Sequence, residues 1–292
     1  MRNASQPQGF FISIPQFFKL IRVNNLLIIL LTQYLTKVFL VDGVENYRNT
    51  LSDPSFFLLT LATLLIAAGG YIINDYYDIK IDMINKPDKI VVGKVMRRRV
   101  AIFTHTVFSL TGVAIGFYLS RTLGIIMFSS AFWLWLYSNQ LKRRAFIGNL
   151  TIAALTALSV FIINLYIREN NPLVYIYGTF AFFISVIREI IKDLEDQKGD
   201  EQFGCKTLPI IWGNAKTKAL IYFLAIMYAG ITFRFLYYIG NPWLYGFIAV
   251  LSIPIVFLLY LLYKAHTPEA FGKLSTFCKW IMVGGVLSMV LL

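Results

Sequence analysis

Two short acidic stretches carry the side chains best suited to chemistry. The first is Asn74-Asp75-Tyr76-Tyr77-Asp78-Ile79-Lys80-Ile81-Asp82, and the second runs from Glu189-Ile190-Ile191-Lys192-Asp193 through Asp196 to Asp200. In both, the aspartates are spaced three and then four apart, which keeps them on one face of a helix. At 100° per residue, Asp75, Asp78 and Asp82 fall within about 60° of one another, and Asn74 widens the stripe to about 100°. Asp193, Asp196 and Asp200 repeat the pattern, with Glu189 on the same face. Carboxylate oxygens plus one amide oxygen are hard ligands, which favour Mg2+ over softer metals. Mg2+ is usually held by one or two carboxylates together with substrate phosphates, so two such stripes with lysines close by point to a phosphate-bearing ligand, most simply a diphosphate. The two histidines, His105 and His266, form no cluster with Cys205 or Cys278, which argues against a zinc site.

The elements that must hold these stripes are apolar. Of 292 residues, 58% are hydrophobic and only 14% charged, and the mean hydropathy is +0.66. A soluble domain is about a quarter charged, so the chain reads as an all-α integral membrane protein. Runs of roughly 20 apolar residues can cross a bilayer, and nine stretches qualify: 20–40, 55–77, 100–119, 122–141, 147–167, 173–194, 217–239, 243–263 and 274–292. The broken stretch 10–19 is too short to span and is expected to lie along the interface. No small-residue cleavage site follows the first apolar run, so no cleavable signal is expected.

Lysine and arginine set the orientation. With the N-terminus inside, 22 of the 27 fall in cytoplasmic segments, and only Lys37, Arg48, Arg121, Arg168 and Arg234 fall outside. This topology accounts for the net charge of +12 without nucleic acid. It leaves both cysteines on the reducing side, where they stay thiols. It also places both acidic stretches at cytoplasmic ends, on spans two and six. The expected architecture is nine transmembrane helices in a bundle around a central cavity, as two four-helix halves plus one helix, in a single domain covering 1–292. A carboxylate at a helix centre costs about 2.5–3.5 kcal/mol on insertion scales, so seven of them must sit near the interface or line a wet cavity.

The residues also carry a resemblance. Asn74-Asp75-x-x-Asp78-x-x-x-Asp82, followed by Asn85-Lys86-Pro87-Asp88-Lys89 and Gly93, resembles the first signature of the UbiA superfamily of intramembrane prenyltransferases. Arg188-Glu189-x-x-Lys192-Asp193-x-x-Asp196-x-x-x-Asp200, with Gly204, Thr207, Leu208 and Pro209, resembles the second. Tyr137-Ser138-x-x-Leu141-Lys142-Arg143, Gly148-Asn149 and Arg22-x-x-Asn25 fit as further landmarks. One departure is Lys89-Ile90-Val91, where the family commonly continues Arg-Pro-Ile.

The resemblance implies that Mg2+, as two ions, bridges the aspartates and a prenyl diphosphate. On that basis Asn74, Asp78 and Asp82 are expected to serve one ion, and Asp193, Asp196 and Asp200 the other. The expected diphosphate-site residues are Arg22, Asp75, Lys86, Lys89, Tyr137, Lys142 and Lys192. Asp78, Asp193 and Asp196 are the expected catalytic set, with Asp193 one choice of proton acceptor among several acidic residues. Glu189 could pair with Arg188 or Lys192 instead of binding metal. A helical cap from the segments about 79–99 and 195–214 would keep water from the prenyl cation.

The wording of both signatures is most similar to the geranylgeranylglyceryl phosphate branch, which implies transfer of geranylgeranyl to the free hydroxyl of an already prenylated glycerol phosphate. An aromatic acceptor leading to a quinone precursor is the alternative within the family. A cation-coupled transporter is the alternative outside it, but transporter sites favour the bilayer midplane and these carboxylates sit at one face. The expected setting is the plasma (inner) membrane, with the N-terminus and active-site loops cytoplasmic, a lipid or aromatic acceptor, and no nucleic acid.

Overall fold

The computed structural model describes residues 13–87 and 90–292. Its ordered elements are almost all helical: α1 (Ile14–Leu20), α2 (Val23–Leu35), α3 (Tyr47–Ser52), α4 (Pro54–Asn85), α5 (Arg98–Leu119), α6 (Arg121–Asn139), α7 (Ile147–Ile167), α8 (Pro172–Gln202), α9 (Leu208–Ile239), α10 (Pro242–Lys264) and α11 (Pro268–Leu287). Helix α2 continues as a π-helical segment, Thr36–Asp42. Among the described residues, eight helical segments are long and apolar enough to cross a membrane. The expected span 122–141 corresponds to α6, whose 19 residues include three serines, two tryptophans and a terminal Asn139 that dilute its hydropathy. Of the interfacial stretch 10–19, residues 10–12 lie outside the described residues, and the rest leads into the short helix α1.

The helix starts are written locally. Asp53, Asn171 and Asn241 each accept a hydrogen bond from the backbone of the helix that follows, and each precedes a proline at the first helical position. A capping side chain satisfies an orphan N–H, and proline has none to satisfy. The helices then run further than hydropathy indicated. Helix α4 passes position 77 and continues to Asn85, and α8 passes 194 and continues to Gln202. The expected cap segments are therefore largely helix: 79–85 belongs to α4 and 195–202 to α8. Residues 208–212 form a first piece of α9, which breaks at Gly213 (φ 75°, ψ 166°).

The chain packs as two compact units. One comprises residues up to 31 and 48–141; in it α4 packs against α5 and α6. The backbones approach closely: a Cβ on Gly112 of α5 would meet the Ala62 carbonyl oxygen of α4 at 3.0 Å. The other unit comprises residues 32–47 and 142–292, where α8 lies among α7, α9 and α11. A Cβ on Gly178 of α8 would run into the Phe161 ring of α7. Helix association in lipid relies on such close packing, because no hydrophobic gain accompanies moving a helix face from lipid to protein.

Candidate functional site

Each acidic stretch lies on one continuous helix, and each compact unit contains one of them. Their placement along the helices is the same. Asp75, Asp78 and Asp82 stand 21, 24 and 28 residues beyond Pro54, and Asp193, Asp196 and Asp200 stand 21, 24 and 28 beyond Pro172. At 1.5 Å per residue, the first carboxylate of each ladder lies about 32 Å from its helix start, past the ~30 Å thickness of a hydrocarbon core. Both ladders thus begin where a helix crossing the bilayer re-enters polar surroundings. That is how the sequence accommodates so many carboxylates on apolar helices.

In the first unit, Asn74, Asp75, Asp78 and Asp82 are all half-buried. Asp75 accepts a hydrogen bond from Arg22 Nη2 at 2.8 Å. Arg22 sits in the tight connection between α1 and α2 with φ 52°, a left-handed conformation, and its guanidinium also covers the Tyr71 ring at 5.0 Å. Burial opposes the charge on Arg22, but attraction to Asp75, with smaller help from Tyr71 and Asp78, outweighs it and raises the pKa. Lys86 ends α4, its backbone N–H donating to the Asp82 carbonyl oxygen at 2.9 Å. Lys89, an expected diphosphate contact, lies outside the described residues. Tyr137 is half-buried near the end of α6.

In the second unit, Asp193 accepts a hydrogen bond from Asn149 Nδ2 at 2.9 Å. Asn149 is 6% exposed and belongs to the first turn of α7, so α7 fixes the rotamer of the first aspartate of this ladder. Glu189 faces cations: Arg188 Nη1 donates to its Oε1 at 2.6 Å and Lys192 Nζ to its Oε2 at 3.1 Å. With its side chain only 8% exposed, Glu189 acts as the shared counter-charge of two cations, the alternative to metal binding. Asp196 and Asp200 are half-buried on the same helix, and Lys142 occupies the 3-10 turn Leu141–Arg143 that precedes α7. Cys205 and Cys278 are both buried and not joined in a disulfide.

Among the described residues, no three carboxylate, imidazole or thiol groups converge on one point as a ready-made metal cage. The ladders offer hard oxygen donors in a row along α4 and α8. That donor set fits Mg2+, which keeps open positions for water and substrate phosphates. Asn149 was only a landmark in the sequence. Its partner is 44 positions away, and no local pattern announces the bond. A separate cavity of about 230 Å3, lined by Tyr177, Phe180, Tyr228 and Trp280 among others, lies in the second unit toward the opposite end of α8 from Asp193.

Fold and side chains together define an all-helical integral membrane protein with a ladder of oxygen donors at the end of each of two long helices. Residues 46–281 match the UbiA prenyltransferase family, and the chain belongs to that family of membrane prenyltransferases. It is 32% identical to the digeranylgeranylglyceryl phosphate synthase of Methanosphaera stadtmanae over 265 residues, covering 90% of this chain and 93% of the relative. Among solved structures, one concerned with digeranylgeranylglyceryl phosphate synthase in membranes superposes with a TM-score of 0.70 at 26% identity, covering 95% of this chain and 97% of that one. A UbiA homologue from Archaeoglobus fulgidus, solved with DMAPP and Mg2+, gives 0.62 at 15% identity over 95% of this chain and 100% of its own.

Proposed function

We propose that this prenyltransferase moves a geranylgeranyl group from its diphosphate to the free hydroxyl of geranylgeranylglyceryl phosphate, in ether-lipid synthesis. The observation that carries the reading is the pair of aspartate ladders at one register on α4 and α8, one in each compact unit. The synthase name of the Methanosphaera relative supports the acceptor, and the DMAPP and Mg2+ bound to the Archaeoglobus homologue support the diphosphate and the ion. In this reading the two units are repeats within one domain, and α6 is a ninth span. At 19 residues, α6 reaches about 28 Å, nearly the thickness of the core. Lysine and arginine placement supports a cytoplasmic N-terminus and cytoplasmic ladders, and the membrane of this reading is the plasma membrane.

The chemistry follows from where charge develops. The bond between the prenyl C1 and the diphosphate oxygen breaks, the hydroxyl oxygen bonds to C1, the hydroxyl proton passes to a base, and inorganic diphosphate leaves. When bound, two Mg2+ ions supply positive charge to the leaving group. Asn74, Asp78 and Asp82 would hold one ion and Asp193, Asp196 and Asp200 the other. In this reading Lys142, Lys192, Lys86 and Lys89 serve the diphosphate, since positive charge that meets the leaving group as it departs stabilises a transition state rather than a ground state. Arg22 and Tyr137 are the remaining diphosphate-site residues of this reading, with Asp75 holding Arg22 in place. Asp193, oriented by Asn149, takes the hydroxyl proton.

The test is turnover by purified protein in detergent with geranylgeranyl diphosphate, offered geranylgeranylglyceryl phosphate or 4-hydroxybenzoate, and read by mass spectrometry. Mg2+-dependent formation of the diether with the first acceptor is expected. Product with the aromatic acid alone would replace the acceptor, and no product with either, together with ion flux in vesicles, would remove the enzyme reading.

A further inference from the structure

We propose that the cavity against the first turns of α8 is a binding site for the hydrocarbon chain of a membrane lipid, and that a chain seated there completes the packing of the helix that carries the second ladder. The walls come from α8, α9, α10 and α11, all within one compact unit. Tyr177, Tyr228, Ile281 and Gly285 line it as buried residues and form its floor. Pro254, Trp280 and Gly284 line it as exposed residues, Trp280 at 68%, and mark its mouth between α10 and α11. The cavity is therefore open to whatever surrounds these two helices.

Depth says what that is. Ile176 and Phe180 stand 4 and 8 residues beyond Pro172, about 6 and 12 Å along α8, within a hydrocarbon core of ~30 Å. Helices α10 and α11 are themselves long and apolar enough to span, so the mouth faces lipid chains. The hydroxyls of the floor are already used: Tyr177 pairs with Ser288 Oγ at 2.9 Å, and Tyr228 with Thr232. A polar group entering would find no partner there and would lose its hydration. An apolar cavity of about 150 Å3 stays dry and takes up benzene, a ring of six carbons. In the same proportion, about 230 Å3 has room for roughly nine carbons, the end of a chain whose headgroup stays at the interface. What holds the chain is dispersion against Phe180, Tyr228 and Trp280, contacts that an empty cavity forfeits.

The occupant is a bilayer lipid and not the prenyl tail of the donor. At 100° per residue, Ile176, Tyr177 and Phe180 centre on a direction roughly 180° around α8 from the centre of Asp193, Asp196 and Asp200. A diphosphate held by the ladder thus lies on the opposite face of the helix from this cavity. A lipid chain here supports the ladder helix from behind, which ties its packing to the membrane around it.

The experiment uses full-length protein taken from dioleoylphosphatidylcholine vesicles into phospholipid-free detergent, with retained lipid counted by native mass spectrometry. A Cβ on Gly284 would meet no heavy atom within 4 Å, so Gly284→Leu plugs the mouth without a clash. Gly246→Leu is the control, on α10 with equally open space and outside the cavity lining. Wild type and Gly246→Leu should keep one phosphatidylcholine per chain, and the retained fraction should fall about tenfold or more in Gly284→Leu. Adding the lipid back should raise the melting temperature of the first two proteins and leave that of Gly284→Leu unmoved. Should Gly284→Leu not fold, Trp280→Ala removes a wall of the mouth and should release the lipid likewise. KM for geranylgeranyl diphosphate should stay within twofold throughout. No retained lipid in wild type, or equal retention in all variants, overturns the inference, and a KM for the diphosphate that rises with the plug overturns it by giving the cavity to the donor. The retention measurement decides whichever acceptor the enzyme alkylates.

Discussion

Removing the Asn149 amide is the sharpest probe of the second ladder. The side chain is buried, and its hydrogen bond to Asp193 Oδ2 is 2.9 Å long. A hydrogen bond to a charged group contributes about 1.5–3 kcal/mol. At 1.36 kcal/mol per decade, losing it should slow turnover by roughly 10- to 150-fold if Asp193 must be held in one rotamer. The same range is expected for loss of a partner that orients a metal ligand, about 10- to 100-fold in affinity or activity. Asn149→Ala should therefore lower kcat/KM and shift the Mg2+ titration to higher concentration, while the protein still elutes as a monodisperse species. Asn149→Asp should be worse, since it sets a second negative charge against Asp193. The assay is release of diphosphate from geranylgeranyl diphosphate at increasing Mg2+. Asn149→Ala with kcat/KM within twofold of wild type and an unmoved Mg2+ midpoint would refute the idea that α7 positions the ladder.

Other expectations are as direct. Asp78→Ala and Asp196→Ala should each abolish turnover without preventing membrane insertion, and wild-type rates in either would sink the ligand assignment. EDTA should stop the reaction and added Mg2+ restore it; activity that survives chelation would exclude the ion. Glu189→Ala strips Arg188 and Lys192 of a shared counter-charge and should destabilise the protein by ~3 kcal/mol, the low end for breaking a buried pair. Thermal unfolding followed by tryptophan fluorescence would register this, and Glu189→Asp should recover part of it. Gly178→Ala drives a Cβ into the Phe161 ring and should cost about 1–3 kcal/mol, seen as a lower melting temperature.

The ladders were legible because aspartates three and four apart have only one simple reading on a helix, and the structure does place them on α4 and α8. Helix starts at Pro54, Pro172 and Pro242 were equally local, each fixed by the Asp or Asn before it. Helix ends were not. Hydropathy stops where Asp78 and Asp196 begin, yet the backbone continues to Asn85 and Gln202, since helical hydrogen bonds do not depend on apolar side chains. Long-range pairings were hidden for another reason. Asn149 with Asp193 and Arg22 with Asp75 join residues far apart in the chain, and nothing local distinguishes these side chains from ordinary polar residues near helix ends; the bond from Lys206 N–H to the Arg143 carbonyl oxygen is between backbones and leaves no mark in the sequence. The double pairing of Glu189 was half visible, because Lys192 lies three residues on and Arg188 is adjacent.

The equal spacing from Pro54 to Asp75 and from Pro172 to Asp193 restricts how this protein can change. Adding or deleting a single residue inside α4 would swing everything beyond it by about 100° and displace it by about 1.5 Å, turning the aspartates off their face even if the helix itself tolerated the change. Variation in length should therefore collect in the connections outside the two ladder-bearing helices, and a chain that lengthened one of them would have to do so by whole turns.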